Sequence, residues 1–315
     1  DGISFAKEKS ILVTDNRVYV EIVRGSDTDL EQTIDTNLLK NSLNIDLRNS
    51  YKNRASAWIP IIDLVETGRR LPPGYSIREV TVLAEDNQGP GLMNSDSYSS
   101  QGGDGIRIAI IDSGFDNFTE SRNAGAAPAT ASFFDYTGTG IQTGSTHGTL
   151  CVETVFDHAP LAQYFIMKAP SLSDLGAAVE ECISQGVNVI SYSQSKYNTG
   201  WADDSGAACA AAVNAANNGI LFFTSAGNRN GTHWQGNYND PDNDNWHNWN
   251  GSDEQNSFSI GSGGVVRAYL QWNGASTSDH YDLYLYQSGT NMLLASSTNT
   301  GQFESLDYTA SQDID

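Results

Sequence analysis

The chain has 315 residues, 38% of them hydrophobic, which is enough for two or three domains with a buried core in each. Its 38 acids against 17 bases give a formal net charge of −21. A surface that negative repels nucleic acid and anionic lipid, so neither is an expected partner, and no apolar run reaches the length of a membrane span.

Residues 17–24, RVYVEIVR, alternate apolar with other side chains and predict a strand. SDTDLEQTIDTNLLK follows and predicts a helix, with Ser26 or Asp27 as N-cap and Leu30, Ile34, Leu38 and Leu39 on one face. Short strands near 43–48 and 54–60, a helix over 60–69 and the strand SIREVTVLAE complete a β-α-β-β-α-β order. That order is the ferredoxin-like split βαβ arrangement, assigned to a small α+β domain over residues 10–85. The Gly-, Ser- and Asp-rich stretch 86–104 predicts a linker.

From residue 105 the pattern changes. GIRIAIID, ATASFFDY, LAQYFIMKA, GVNVISYS and GILFFTSAG are short apolar runs. HGTLCVETVFDHA, SLSDLGAAVEECISQG and SGAACAAAVNAANNG separate several of them as helices. Alternation of this kind predicts an α/β domain over 105–260, a parallel sheet with helices on both faces. GTHWQGNYNDPDNDNWHNWNGSDEQ is a polar, acidic loop. The runs VVRAYLQWNG, HYDLYLYQ and MLLASS then predict a C-terminal antiparallel β segment over 261–315, the start of a β-sandwich. Trp272, Tyr281, Tyr284 and Tyr286 lie in it at positions that suit core packing or an aromatic ligand face.

Cys151, Cys182 and Cys209 all fall in helical stretches, and with three cysteines at least one is unpaired in a monomer. Buried free thiols are the expectation; a Cys151–Cys182 or Cys182–Cys209 bridge is not decided by the sequence. The chain begins at Asp1 without an initiator Met, as after removal of an upstream segment, and the acidic composition suits a secreted or extracytoplasmic protein.

Open α/β sheets hold ligands at the carboxyl ends of their strands. Asp112 ends GIRIAIID, His147 opens a helix in THGT, and Asn228 follows GILFFTSAG. A carboxylate can fix the tautomer of an imidazole, and a carboxamide can donate to a developing oxyanion, so the three have the chemistry of an acyl-transfer site. IAIIDSGFD, GSTHGTLC and FFTSAGN resemble, in this order, the aspartate, histidine and oxyanion-asparagine motifs of the subtilisin-like serine proteases. The resemblance covers roughly residues 105–230. It implies a subtilisin-like fold and hydrolysis of a peptide or protein substrate through an acyl-enzyme, with no cofactor for the chemistry. In it Asp112 orients His147, His147 is general base and then acid, and Asn228 donates to the tetrahedral intermediate. It also implies that Ser193, Gln194 and Ser195 lie where backbone pairs with substrate.

The family's Gly-Thr-Ser nucleophile motif is absent from this chain. SGTNML carries Asn291 where a serine would stand and predicts a hairpin turn; SIGSGG resembles the chymotrypsin-type nucleophile loop at Ser262, but that chemistry belongs to a double β-barrel and this chain has a parallel sheet. Two expectations follow. Either the chain is a fragment, inactive as it stands, with the β segment inserted before a serine beyond residue 315; or it is a catalytically dead subtilase fold that binds protein or carbohydrate. In the fragment reading the parallel sheet lacks a later helix and leaves one face uncovered. The resemblance further implies that residues 10–85 act as the chain's own propeptide-like inhibitory domain. Asp240, Asp242 and Asp244 alternate in DPDND as in loops that wrap a structural Ca2+, with Asn245 able to take a left-handed backbone.

Overall fold

Two compact units make up the chain, residues 1–228 and residues 229–315. The computed structural model describes residues 13–25, 32–80, 102–201, 203–229, 231–273, 280–299 and 301–314. Loop 229–260, which sequence grouped with the α/β domain, groups with the β segment instead.

The first unit opens with β1 (Val13–Thr14), β2 (Arg17–Arg24), α1 (Thr36–Ser42), β3 (Asp46–Tyr51), β4 (Arg54–Pro60), a 3-10 turn (Ile61–Asp63), α2 (Leu64–Arg70) and β5 (Tyr75–Glu79). The strands pair antiparallel in the order β3-β4-β2-β5, with β1 also on β2. β2 and β3 are thus separated by β4, the split βαβ arrangement. α1 starts later than the sequence suggested. Residues 26–31, with the expected caps Ser26 and Asp27 and with Leu30, lie outside the described residues, and residues 32–35 are not helical. Asp35 is the cap, its Oδ1 accepting the Leu38 N–H at 2.9 Å, so the helix begins after it. Leu39 is buried, whereas Leu38, expected on the same buried face, is 39% exposed. β5 ends at Glu79, and most of the expected linker lies outside the described residues.

Both faces of β2 are buried. Val18, Val20 and Ile22 pack with Leu39 and Leu43 and with Ala55, Ala57 and Ile59 of β4. Tyr19 and Glu21 face the other way, onto the parallel sheet's helix described next.

That sheet comprises β6 (Arg107–Asp112), β7 (Ala131–Asp135), β8 (Gln163–Lys168), β9 (Val189–Tyr192) and β10 (Leu221–Thr224), all parallel, in the order β10-β9-β6-β8-β7. The helices are α3 (Phe118–Asn123), α4 (His147–His158), α5 (Leu172–Ser184) and α6 (Ala207–Asn217). α3 was not anticipated; it is a short helix launched from Asn117 at φ 63°. One sheet face, with Ala109, Ile111, Phe165, Met167 and Ile190, packs on α5 and α6. The other, with Ile108, Ile110, Tyr164 and Ile166, packs on α3 and α4. A mixed α/β architecture with a five-stranded parallel sheet is therefore present, together with antiparallel sheets. Cys151 and Cys182 are buried, Cys209 is half-buried, and all three are free thiols.

The N-terminal sheet seats on α5 through a buried polar network. Asp174 at the start of α5 accepts from Tyr19 Oη at 3.0 Å, Asn49 Nδ2 at 2.9 Å and Ser56 Oγ at 2.9 Å. Burial pushes its carboxyl up, and the bonds from Ser171, Ser56, Asn49 and Tyr19 oppose that shift. Glu21 bridges the two parts: one oxygen takes the Arg54 guanidinium at 2.5 Å and the other accepts the Ser173 N–H at 2.9 Å. Gly176 on α5 has no room for a Cβ because the Tyr51 ring lies on it.

The second unit holds β11 (Val265–Gln271), β12 (Leu283–Tyr286), β13 (Leu293–Ser297) and β14 (Phe303–Thr309). They form two antiparallel ladders, β11 with β14 and β12 with β13. β14 was not anticipated, because its inward side includes Glu304. That carboxylate is buried by bonds from Asn299 N at 2.6 Å, Asn299 Nδ2 at 3.0 Å and the Ser297 hydroxyl. SGTNML is the β12–β13 turn, with Gly289 at φ 67°. The Ser262 hydroxyl is spent on Ser311 O at 3.3 Å.

Candidate active site

The order of the parallel strands reverses at β6, which has β8 on one side and β9 on the other. The crevice at such a switch point, outside the carboxyl ends, is where open sheets bind ligands. Asp112 is the last residue of β6, and α4 starts beside it because helices between parallel strands run back along the sheet. His147 Nδ1 lies 2.8 Å from Asp112 Oδ2, and both side chains are buried.

Each partner is held by its own surroundings. The other oxygen, Asp112 Oδ1, accepts from Ser113 N at 2.7 Å and Ser113 Oγ at 3.2 Å, which fixes the plane of the carboxylate. The His147 N–H donates to Ser145 Oγ at 3.0 Å, and Gly148 N–H to Gly114 O at 3.1 Å. Gly114 and Gly148 are glycines for lack of space. A Cβ on Gly148 would stand 2.7 Å from Phe115 Cε1 and 2.8 Å from Asp112 Cβ. The Cys151 thiol, one helical turn after His147, touches the ring at 3.8 Å from Nδ1 and 3.9 Å from Nε2. The imidazole is raised above its ordinary range, to about 11, by the hydrogen bond to Asp112 first and the contact with Cys151 second, against the effect of burial. The Asp112 carboxylate beside it therefore favours the protonated ring and stabilises an imidazolium whenever Nε2 takes up a proton.

The other expected residues fall as follows. Ser193, Gln194 and Ser195 leave the carboxyl end of β9, where Tyr192 is in register one residue before the level of Asp112. The Gln194 side chain is buried, its Nε2 donating to Ala169 O at 3.3 Å and its Oε1 accepting from Lys196 Nζ at 3.1 Å. Asn228 is exposed, four residues past the end of β10 at the same edge of the sheet. Among the described residues it hydrogen-bonds to neither Asp112 nor His147. The pair is therefore assembled, and the carboxamide is not joined to it.

Sequence reasoning passed over three side chains at this site. Cys151 was legible as an i+4 neighbour of His147. Ser113 follows Asp112 directly and could have been read as a partner for its carboxylate. Lys168 ends β8 level with Asp112 and is buried, with its Nζ on Thr139 Oγ1 at 2.7 Å, Gly140 O at 3.1 Å and the Thr143 hydroxyl.

In the second unit, Asp240, Asp242 and Asp244 bring ligand oxygens within 4.8 Å of one another. That spacing and an all-carboxylate donor set fit a hard cation at its usual 2.3–2.6 Å. Asp240 turns the loop on itself, accepting from Asp244 N at 3.2 Å and Asn245 N at 3.0 Å, with Asn245 at φ 76°. The Glu254 carboxyl is raised by partial burial and by the charges of Asp244, Asp242 and Asp240.

No family model matches this chain, and no curated protein matches it.

Proposed function

We propose that the chain is the greater part of a subtilisin-like serine endopeptidase that works outside the cytoplasm. The observation that carries this reading is the buried 2.8 Å contact between His147 Nδ1 and Asp112 Oδ2, at the switch point of a parallel sheet. In this reading Asp112 holds the imidazole in the tautomer that leaves Nε2 to accept a serine proton. The serine Oγ bonds to the substrate carbonyl carbon, and the proton then passes from Nε2 to the leaving nitrogen as the C–N bond breaks. Water repeats the sequence on the ester. The Asn228 amide donates to the oxyanion, and the backbone of Ser193, Gln194 and Ser195 pairs with the peptide.

The serine is taken to follow residue 315. Support comes from the face of the sheet beside α4. Leu221 and Phe223 lie on the side of Ile108 and Ile110 yet are 60% and 59% exposed. Covering such side chains is worth about 1.5–3 kcal/mol each. A further helix next to α4 would cover them and start at the carboxyl edge. The test is the reading frame continued past residue 315, expressed and treated with a fluorophosphonate. Labelling of one serine, lost in His147→Ala, is expected; an extended chain that is neither labelled nor hydrolytic leaves the binding reading.

The N-terminal sheet, seated on α5, is read as the chain's own propeptide-like partner, and Ca2+ as the structural ion of the Asp240–Asp244 loop. A second reading makes the second unit a carbohydrate-binding module. It rests on Trp246, 43% exposed, with its ring 5.6 Å from Tyr284 and 6.5 Å from the exposed Tyr286. Binding to a glycan array, lost in Trp246→Ala, tests it.

A further inference from the structure

We propose that Lys168 is a positioning residue for the Asp112–His147 pair, its ammonium gathering the loop that delivers His147; its consequence for catalysis rests on the reading given above. Lys168 stands beside Asp112 in the β8–β6 register, and the next N–H, of Ala169, donates to Asp112 O at 2.7 Å. The side chain of Lys168, 1% exposed, turns to the segment 136–146 that runs without regular structure from β7 to His147. The ammonium has three N–H donors and the loop supplies three acceptors: Thr139 Oγ1, Gly140 O and Thr143 Oγ1.

Asp135 holds the same loop from its start. Its Oδ1 accepts from Thr137 N at 2.9 Å and its Oδ2 from Gly140 N at 2.7 Å. From the cage the contacts continue to the site. Phe115 N donates to Ile141 O at 3.2 Å, Asp116 N to Ser145 O at 2.9 Å, and His147 N to Ser145 Oγ at 3.0 Å. Lys168 thus lies level with Asp112 in the sheet, and its side chain holds the loop that leads to His147. Burying an ammonium is costly, and the preceding strand positions, Ile166 and Met167, are apolar. A strand end needed only for packing would continue that pattern. A charge there with all its donors spent on one irregular loop acts as a built-in cation that fixes the loop's shape.

The experiment uses the full chain with 15N-labelled histidine and reads the ring N–H proton of His147 and its exchange with water. In Lys168→Met the expected result is loss of the downfield ring signal and exchange faster by about tenfold or more, with the backbone signals of β6 and β8 in place. In Lys168→Ala the same loss is expected, with recovery on adding propylammonium and none on adding propanol. An unchanged ring signal in folded Lys168→Met overturns the proposal, as does recovery with propanol alone. If neither Lys168 variant folds, the double variant Thr139→Val/Thr143→Val decides, since it opens the cage and keeps the lysine. Faster exchange there supports the proposal and unchanged exchange overturns it. Hydrolysis is not the readout, so an inactive extended chain would sink the protease reading and leave this result standing.

Discussion

Gly148 donates its backbone N–H to Gly114 O at 3.1 Å, and through this contact the first turn of α4 lies against the end of β6. A side chain at position 148 would meet Phe115 and Asp112 at 2.7 and 2.8 Å, and both are part of a packed core. Gly148→Ala is expected to push α4 outward, to cost about 1–3 kcal/mol and to lengthen the Asp112–His147 contact. Denaturant unfolding measures the first effect. The His147 ring N–H signal measures the second.

The raised His147 fixes the sign of a pH effect. Its value in the fold is about 11, whereas an unfolded histidine titrates near 6.5. Its contribution to stability is therefore complete below about pH 6.5 and lost as pH rises toward the folded value. Asp112→Asn removes the carboxylate that sets the shift. Unfolding followed from pH 6 to pH 10 is expected to show stability falling with pH in the parent chain, with a shallower fall in Asp112→Asn. Equal slopes in the two would count against the ion pair.

Glu21 serves two donors from different parts of the first unit, the Arg54 guanidinium and the Ser173 N–H. Glu21→Ala removes the carboxylate beside a buried guanidinium and the acceptor of a helix-start N–H. The expected cost is about 3–5 kcal/mol. Limited proteolysis should then cut within residues 13–80 while the parallel sheet stays protected. Glu21→Ala with unchanged protection would mean that the apolar contacts suffice to seat the sheet.

Three carboxylates with oxygens within 4.8 Å of one another repel unless a cation or protons screen them. Ca2+ is expected to raise the melting temperature of an isothermally matched sample, and EGTA to reverse the rise. Asp242→Asn/Asp244→Asn should remove the response. Mg2+ at equal concentration should give a smaller one, since it demands tighter octahedral geometry. A melting curve indifferent to Ca2+ would leave this loop as a solvated acidic turn.

The five parallel strands were legible because each is a short apolar run between loops or stretches of helical composition, and the inner ones, β6 and β8, are buried along nearly their whole length. Asp112 and His147 were legible because a strand end and a helix start fall at the same edge of such a sheet. α1 was placed too early because the apolar period extends back through Ile34, which is buried but pairs through its N–H with Lys52 O outside any helix. Asp35, rather than the periodicity, sets the start. β14 was missed because Glu304 occupies an inward position, where only the partners Ser297 and Asn299 make a carboxylate acceptable. Lys168 was missed for the same reason. A lysine at a strand end reads as solvated until the acceptors that surround it are known.

By itself, the sequence determined where the chain is apolar, at what period, and which residue types end its strands and open its helices. These are local properties, and they dictate a parallel sheet with Asp112 at one strand end and His147 at one helix start. Tertiary structure alone decided that the two touch, that Lys168 spends its charge on the loop between them, and that the N-terminal sheet buries Glu21 and Asp174 on α5. Those outcomes depend on partners 25 to 155 positions apart, and a buried charge is tolerable only where such distant groups converge to satisfy it.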